Sequence, residues 1–115
     1  MNVIYNNIDE FIKLEPRYYT FLKSISFNRN FDENESRYDI EMILVGCSPD
    51  KGSLRMLFKE SFGIKIGYIE GMMGLFINIF DIKNLQIEGG TYQVSDEEES
   101  SFSFYCKEFL AELTN

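Results

Sequence analysis

Residues 38–45, YDIEMILV, and residues 54–59, LRMLFK, decide the fold, because apolar side chains recur at every second position in both stretches. A period of two is typical of β-strands with one buried face, and the first stretch becomes apolar on both faces as it ends. Between them, residues 48–52, SPDKG, contain the Pro, Asp and Gly that favour a turn. The two stretches therefore predict consecutive strands that enter a covered core.

The same alternation continues along the chain and predicts a mainly β (α+β) protein. Residues 75–82, LFINIFDI, are apolar on both faces and predict a central or sandwiched strand. The glycines of residues 62–74 predict bends or bulges and not a phosphate loop, since no Lys-Ser/Thr pair follows them. The pattern as a whole predicts an antiparallel β-sandwich or strongly curved sheet of about six to seven strands.

The sequence patterns at the two ends of the chain predict shorter elements. Asn7 and Glu10 have the spacing of a capping box, and Pro16 should end the short N-terminal helix that they begin. Helical spacing after Pro16 predicts a second helical piece before a strand that starts near Ser24. The apolar spacing of residues 106–113 fits either a short terminal helix or a continuing strand. With no repeat or linker, residues 1–115 are expected to form a single β-rich domain.

The composition argues against catalysis. The 115 residues include no histidine, which removes His-based acid–base chemistry, Ser-His and Cys-His pairs and the usual zinc sites. No G-x-S-x-G motif occurs, and Cys47 and Cys106 lack the spacing of a redox motif and are interpreted as reduced, small apolar side chains. We therefore expect a protein that is not an enzyme, with no catalytic residue, metal or cofactor.

The net charge of −8 limits the partners. It repels phosphate backbones, so neither nucleic acid nor an anionic membrane is expected as a partner, and no apolar stretch is long enough for a membrane span. An acidic surface favours a basic protein partner, although solubility alone also explains such a charge. The start of the chain lacks the features of a signal peptide, which predicts a cytoplasmic protein, either a monomer or a homodimer.

The negative charge is concentrated in two segments, and these are the candidate partner-binding residues. The first segment contains Asp32, Glu33 and Glu35, and the second contains Asp96, Glu97, Glu98 and Glu99. Neither has the ligand spacing of an EF-hand, so no metal site is predicted. The alternative interpretation of both segments is a solvated loop or hairpin tip with no partner.

The C-terminal half resembles a known group of proteins. Residues 92–98, YQVSDEE, followed by residues 102–106, FSFYC, are similar to a "Y-x-V-x-D-x-E … I-x-F-x-C" ending found in small, acidic, uncharacterised bacterial proteins. Residues 54–58, LRMLF, and residues 79–88, IFDIKNLQIE, resemble two upstream patterns of that group. Some of its members are immunity proteins of polymorphic toxin systems. The resemblance implies a β-rich fold and no catalytic residue, and this chain departs from it in the glycine-rich residues 62–74.

Two functions follow as hypotheses. The first is a non-enzymatic, immunity-like binding protein that neutralises a basic toxin by occlusion, through the two acidic segments. The alternative is a small-molecule-binding domain with a pocket between sheet layers near Gly63–Gly74.

Overall fold

The computed structural model of the protein describes residues 3–29, 37–46, 52–67, 76–96 and 102–114. Within these ranges the chain forms eight strands, one short α-helix and two 3-10 turns. Their bounds are β1 Val3–Tyr5, α1 Ile8–Lys13, a 3-10 turn Pro16–Tyr18, β2 Phe21–Arg29, β3 Tyr38–Val45, β4 Ser53–Ile66, β5 Ile77–Asp81, a 3-10 turn Lys83–Leu85, β6 Tyr92–Asp96, β7 Phe102–Cys106 and β8 Glu108–Thr114.

The strands form one strongly curled antiparallel sheet, which confirms the predicted fold class. Its main order is β1-β8-β4-β7-β6-β5, and β3 pairs with β4 and β2 with β3. The long strand β4 joins two parts of the sheet: residues 53–59 pair with β3 and β8, and Phe62–Ile66 pairs with β7. We call β2, β3, β4, β8 and β1 the first half-sheet, and β4, β7, β6 and β5 the second half-sheet.

The inner faces of the two half-sheets enclose the core. Phe58 of β4 contacts Phe104 of β7 with ring centroids 5.1 Å apart, and Tyr92 of β6 contacts Phe109 of β8 at 5.0 Å. Phe11 of α1 packs edge-on against Phe109 at 6.1 Å, so the helix is anchored to the same cluster. These aromatic side chains bury large apolar areas, and they are therefore a main source of the stability of a small domain.

The N-terminal helix forms as predicted, but the second helical piece does not. The Asn7 side chain accepts a hydrogen bond from the Glu10 backbone N–H at 3.0 Å, which confirms the cap. After one 3-10 turn, β2 begins at Phe21 instead of near Ser24, because Phe21 already pairs with Val45 of β3. Pairing along nine residues of strand outweighs the helical spacing of the apolar side chains in this stretch.

The prediction that residues 75–82 form a central strand is wrong. Its described part, β5, lies at the end of the strand order, and among the described residues it pairs with β6 alone. Ile77 and Ile79 are buried, whereas the Phe80 side chain on the opposite face is exposed. The second apolar face of this segment therefore borders solvent instead of a second layer.

The C-terminal residues continue as a strand, so the helical alternative is excluded. β8 pairs with β4 on one side and with β1 on the other. Phe109 and Ala111 face the core, and Leu110 lies on the opposite face. This placement puts β8 between β4 and β1 in the first half-sheet.

Candidate partner-binding surface

The predicted acidic segments lie almost entirely outside the described residues. This applies to Asp32, Glu33 and Glu35 of the first segment and to Glu97, Glu98 and Glu99 of the second. Asp96 is described, and the structure places it as the last residue of β6, opposite Ile77 of β5 and only 7% exposed. Asp96 is thus not part of a solvated tip, because it is paired within the sheet and almost fully buried.

A second group of carboxylates lies together on the side of the first half-sheet that faces away from the core, here called the outer face. Alternation along the strands places these residues there, since their neighbours in sequence are the buried ones. On β3, β4 and β8, the charged residues at outward positions are Asp39 and Glu41, Arg55 and Lys59, and Glu108 and Glu112. Four carboxylates against two cations give the described outer face of these three strands a net negative charge.

Arg55 lies at the centre of the outer face and holds carboxylates from both neighbouring strands. Its Nε donates to Glu41 Oε2 at 2.8 Å, and its Nη2 lies 2.7 Å from the same oxygen. On the other side, Nη1 donates to Glu112 Oε1 at 3.0 Å. The side chains of the three residues are 20–33% exposed, so the network borders solvent and its stabilisation is partly screened.

Apolar side chains lie between the charged ones. Leu57 is directly opposite Leu110, and Leu110 is directly opposite Tyr5, so the three form a row across β4, β8 and β1. Leu57 and Leu110 are half-buried, and Tyr5 is 52% exposed. A partly exposed aromatic ring beside aliphatic side chains is a common composition at the centre of protein interfaces.

The Tyr5 hydroxyl interacts with one of the carboxylates. A side-chain hydrogen bond to Glu108 raises the pKa of Tyr5 above its ordinary value, and the negative charge of Glu108 adds to this effect. The Tyr5 phenol is thus coupled to Glu108, which links the apolar row to the acidic residues of β8.

A groove of about 800 Å³ lies elsewhere, between α1, the turn after it and residues 76–80 in and before β5. Four exposed apolar side chains line it: Ile12, Tyr18, Phe76 and Phe80. Its charged lining residues, Glu15 and Arg17, have opposite signs, so the groove has no evident preference for an anionic or cationic ligand.

The glycine-rich segment does not border this groove within its described part. Gly63 has a φ of +61° and lies at a register shift between Phe62 and Lys65, which confirms a bulge. A Cβ added to Gly63 would lie 3.0 Å from the Tyr105 ring, so the position also permits close packing. Residues 68–75 lie outside the described residues, and with them most of the segment for which the sequence predicts a pocket.

The described residues contain one cysteine, and their possible metal ligands are not grouped. The Cys106 thiol is buried, and burial raises its pKa, whereas Cys47 lies outside the described residues. Among the residues that the structure describes, no three His, Cys, Asp or Glu side chains are grouped as a metal site would require. No helix in the same ranges is long and apolar enough to cross a bilayer.

The Arg55 network is not among the features predicted from the sequence, although a signal for it exists. Glu41 and Arg55 have opposite charges and stand at outward positions of two strands that follow each other along the chain. A charge at such a position indicates a cross-strand pair when the two strands are neighbours. The third member, Glu112, requires the pairing of β4 with β8, which the local sequence does not specify.

One comparison with known proteins gives a match. The model of a family described as "Immunity protein PIM8" matches residues 3–112. No curated protein and no solved structure matches the chain.

Proposed function

Because the chain belongs to the PIM8 immunity protein family, we propose that it protects a cell by binding a toxin and covering its functional surface, without catalysing a reaction. The observation that carries this proposal is the family match, which extends over residues 3–112 and therefore includes residues of all eight described strands. The resemblance of residues 92–106 to proteins that include immunity proteins is in agreement with it.

The charge of the chain supports a basic partner. The net charge of −8 attracts a cationic surface, such as the substrate groove of a nuclease, and accelerates its association with this protein. The other acidic residues of the two segments, Asp32, Glu33, Glu35, Glu97, Glu98 and Glu99, remain our proposed contacts for that surface, whereas the buried Asp96 does not. The proposal also places the protein in the cytoplasm, where a toxin that acts on nucleic acid would have to be stopped.

The direct test is co-expression with the toxin encoded in the neighbouring reading frame. Cells that express the toxin alone should stop growing, and cells that also express this chain should grow normally. Charge reversal of Asp32, Glu33 and Glu35, or of Glu97 to Glu99, should weaken protection if those segments contact the toxin. Loss of growth despite well-expressed, folded chain would refute the proposal.

The groove gives specific support to a second candidate, a small-molecule-binding domain. Its volume of about 800 Å³ and its apolar lining match the usual properties of ligand sites, which have volumes of about 300–1,000 Å³. The test is a fragment screen by NMR with the matched variant Ile12→Lys. Fragments that bind the natural chain and not the variant would support this candidate, and a screen without binders would refute it.

A further inference from the structure

The outer face of the first half-sheet combines three properties: it is solvent-facing, it has an apolar centre, and on β3, β4 and β8 its carboxylates outnumber its cations. We propose that this face is the docking surface for the toxin and that it fits a basic surface of that partner with an apolar side chain at its centre. The inference rests on the proposed function and adds the location and the chemistry of the contact.

The outer face carries more negative than positive side chains. On β3, β4 and β8, the outward carboxylates Asp39, Glu41, Glu108 and Glu112 outnumber the outward cations Arg55 and Lys59. At its centre a single guanidinium lies between two carboxylates, which leaves one negative charge there. A lysine or arginine of the partner is therefore attracted to the middle of the face as well as to its rim.

Two carboxylates of the outer face are held in place before any partner binds. Arg55 holds Glu41 at 2.7 Å and Glu112 at 3.0 Å. Side chains already fixed in the free protein lose less conformational entropy when a partner binds. These two carboxylates are thus better prepared for a cationic partner than flexible surface carboxylates are.

The outer face has an apolar centre and is large enough for a protein interface. Leu57, Leu110 and Tyr5 form a continuous row, and Val3 beside Glu112 is 48% exposed. From ordinary strand spacings, the four strands β2, β3, β4 and β8 with six residues along each give a surface about 15 Å by 20 Å, and the three residues of β1 extend it on one side. This is enough for the central part of an interface that buries about 800 Å² per partner.

The charge also selects the occupant. A second copy of this chain would bring the same net negative face against itself in a two-fold dimer, and each copy carries a net charge of −8. The groove beside β5 is more apolar, but Glu15 and Arg17 cancel there, so its charge does not identify a partner. The charge of the outer face is therefore complementary to a basic protein.

The experiment uses the full chain, the purified toxin domain of the neighbouring reading frame, and isothermal titration calorimetry. Glu108→Lys reverses a charge on the face, and Glu112→Gln removes one without changing side-chain size while Arg55 keeps Glu41. The matched control is Glu88→Lys, an exposed residue between β5 and β6 with the same change in net charge as Glu108→Lys. Circular dichroism and light scattering establish that each variant is folded and report its oligomeric state.

We expect Glu108→Lys to weaken binding by at least about tenfold, Glu112→Gln by about threefold to tenfold, and Glu88→Lys by less than about threefold. Equal losses in Glu108→Lys and Glu88→Lys would overturn the docking surface and leave the proposed function intact. The docking surface would also be overturned if the natural chain dimerised and Glu108→Lys separated the dimer. No binding of the toxin by the natural chain would overturn both the surface and the proposed function.

Discussion

Asn6 connects β1 and α1 to the rest of the fold, and its replacement tests how the N-terminal segment is held. Its backbone N–H donates to the Phe109 carbonyl at 3.0 Å, and its Oδ1 accepts from the Phe109 N–H at 2.8 Å. Its carbonyl accepts from the Tyr92 hydroxyl at 3.1 Å. Asn6 also has a φ of +52°, a left-handed conformation that asparagine tolerates better than alanine does.

Asn6→Ala removes the acceptor and keeps the unfavourable φ. An unsatisfied N–H beside the fully buried Phe109 costs about 1–3 kcal/mol, and a left-handed alanine about 1–2 kcal/mol. We expect the free energy of unfolding to fall by about 3 kcal/mol, which corresponds to a Tm lower by about 12 °C in a chain of this size. Asn6→Gly removes only the acceptor and should lose about 2 kcal/mol, because glycine adopts this φ freely.

Urea denaturation followed by circular dichroism measures these differences. Asn6→Asp keeps an acceptor and should remain within about 1 kcal/mol of the natural chain. Asn84→Ala, at an exposed asparagine between β5 and β6, is the matched control and should change stability by less than about 0.5 kcal/mol. An alanine variant as stable as the glycine variant would contradict the strain at φ +52°, and one as stable as the natural chain would contradict the whole account of Asn6.

Three further predictions concern other positions. Asn7→Ala removes the cap on the Glu10 N–H and should cost about 1 kcal/mol in urea denaturation, whereas no loss would show that α1 is held by packing alone. Gly46→Ala should cost at least about 2 kcal/mol in the same assay, because an added Cβ would lie 2.3 Å from the Tyr18 carbonyl oxygen; a neutral result would refute this close approach. Burial raises the pKa of Cys106 in the folded state, so above pH 9.0 the unfolded thiol ionises while the folded one stays neutral. Stability should therefore be fully present below that pH and decline above it, and Cys106→Ala should flatten the decline between about pH 8 and 10.

The secondary structure could be predicted from the sequence where one face of a strand is buried. The stretch 38–45 alternates and is β3 to the residue, since it pairs with β2 and β4 and its inner side chains Ile40, Met42 and Leu44 are buried in the core. The stretch 75–82 is apolar on both faces, a pattern that predicts a central strand. Its described part is an edge strand whose exposed Phe80 borders a groove, and only the order of the strands reveals this difference.

The candidate surface was less predictable than the fold. Consecutive acidic residues are conspicuous in a sequence and favour the two loops, whereas the outer face is assembled from single residues of β3, β4 and β8. Glu41 and Glu112 are 71 positions apart along the chain, yet both hold Arg55 because β4 lies between their strands. Asp96 shows the opposite case, since a residue within an acidic run is buried at the end of a strand.

The central claim is that this protein neutralises a toxin by binding it and not by a reaction. The most direct measurement titrates the purified chain into a fixed concentration of the neighbouring toxin, well above the Kd, and follows the toxin's activity. Our account predicts a linear loss of activity that ends near one chain per toxin and returns when the complex is separated. Complete inactivation by a small fraction of an equivalent, or full activity with the chain in excess, would contradict it.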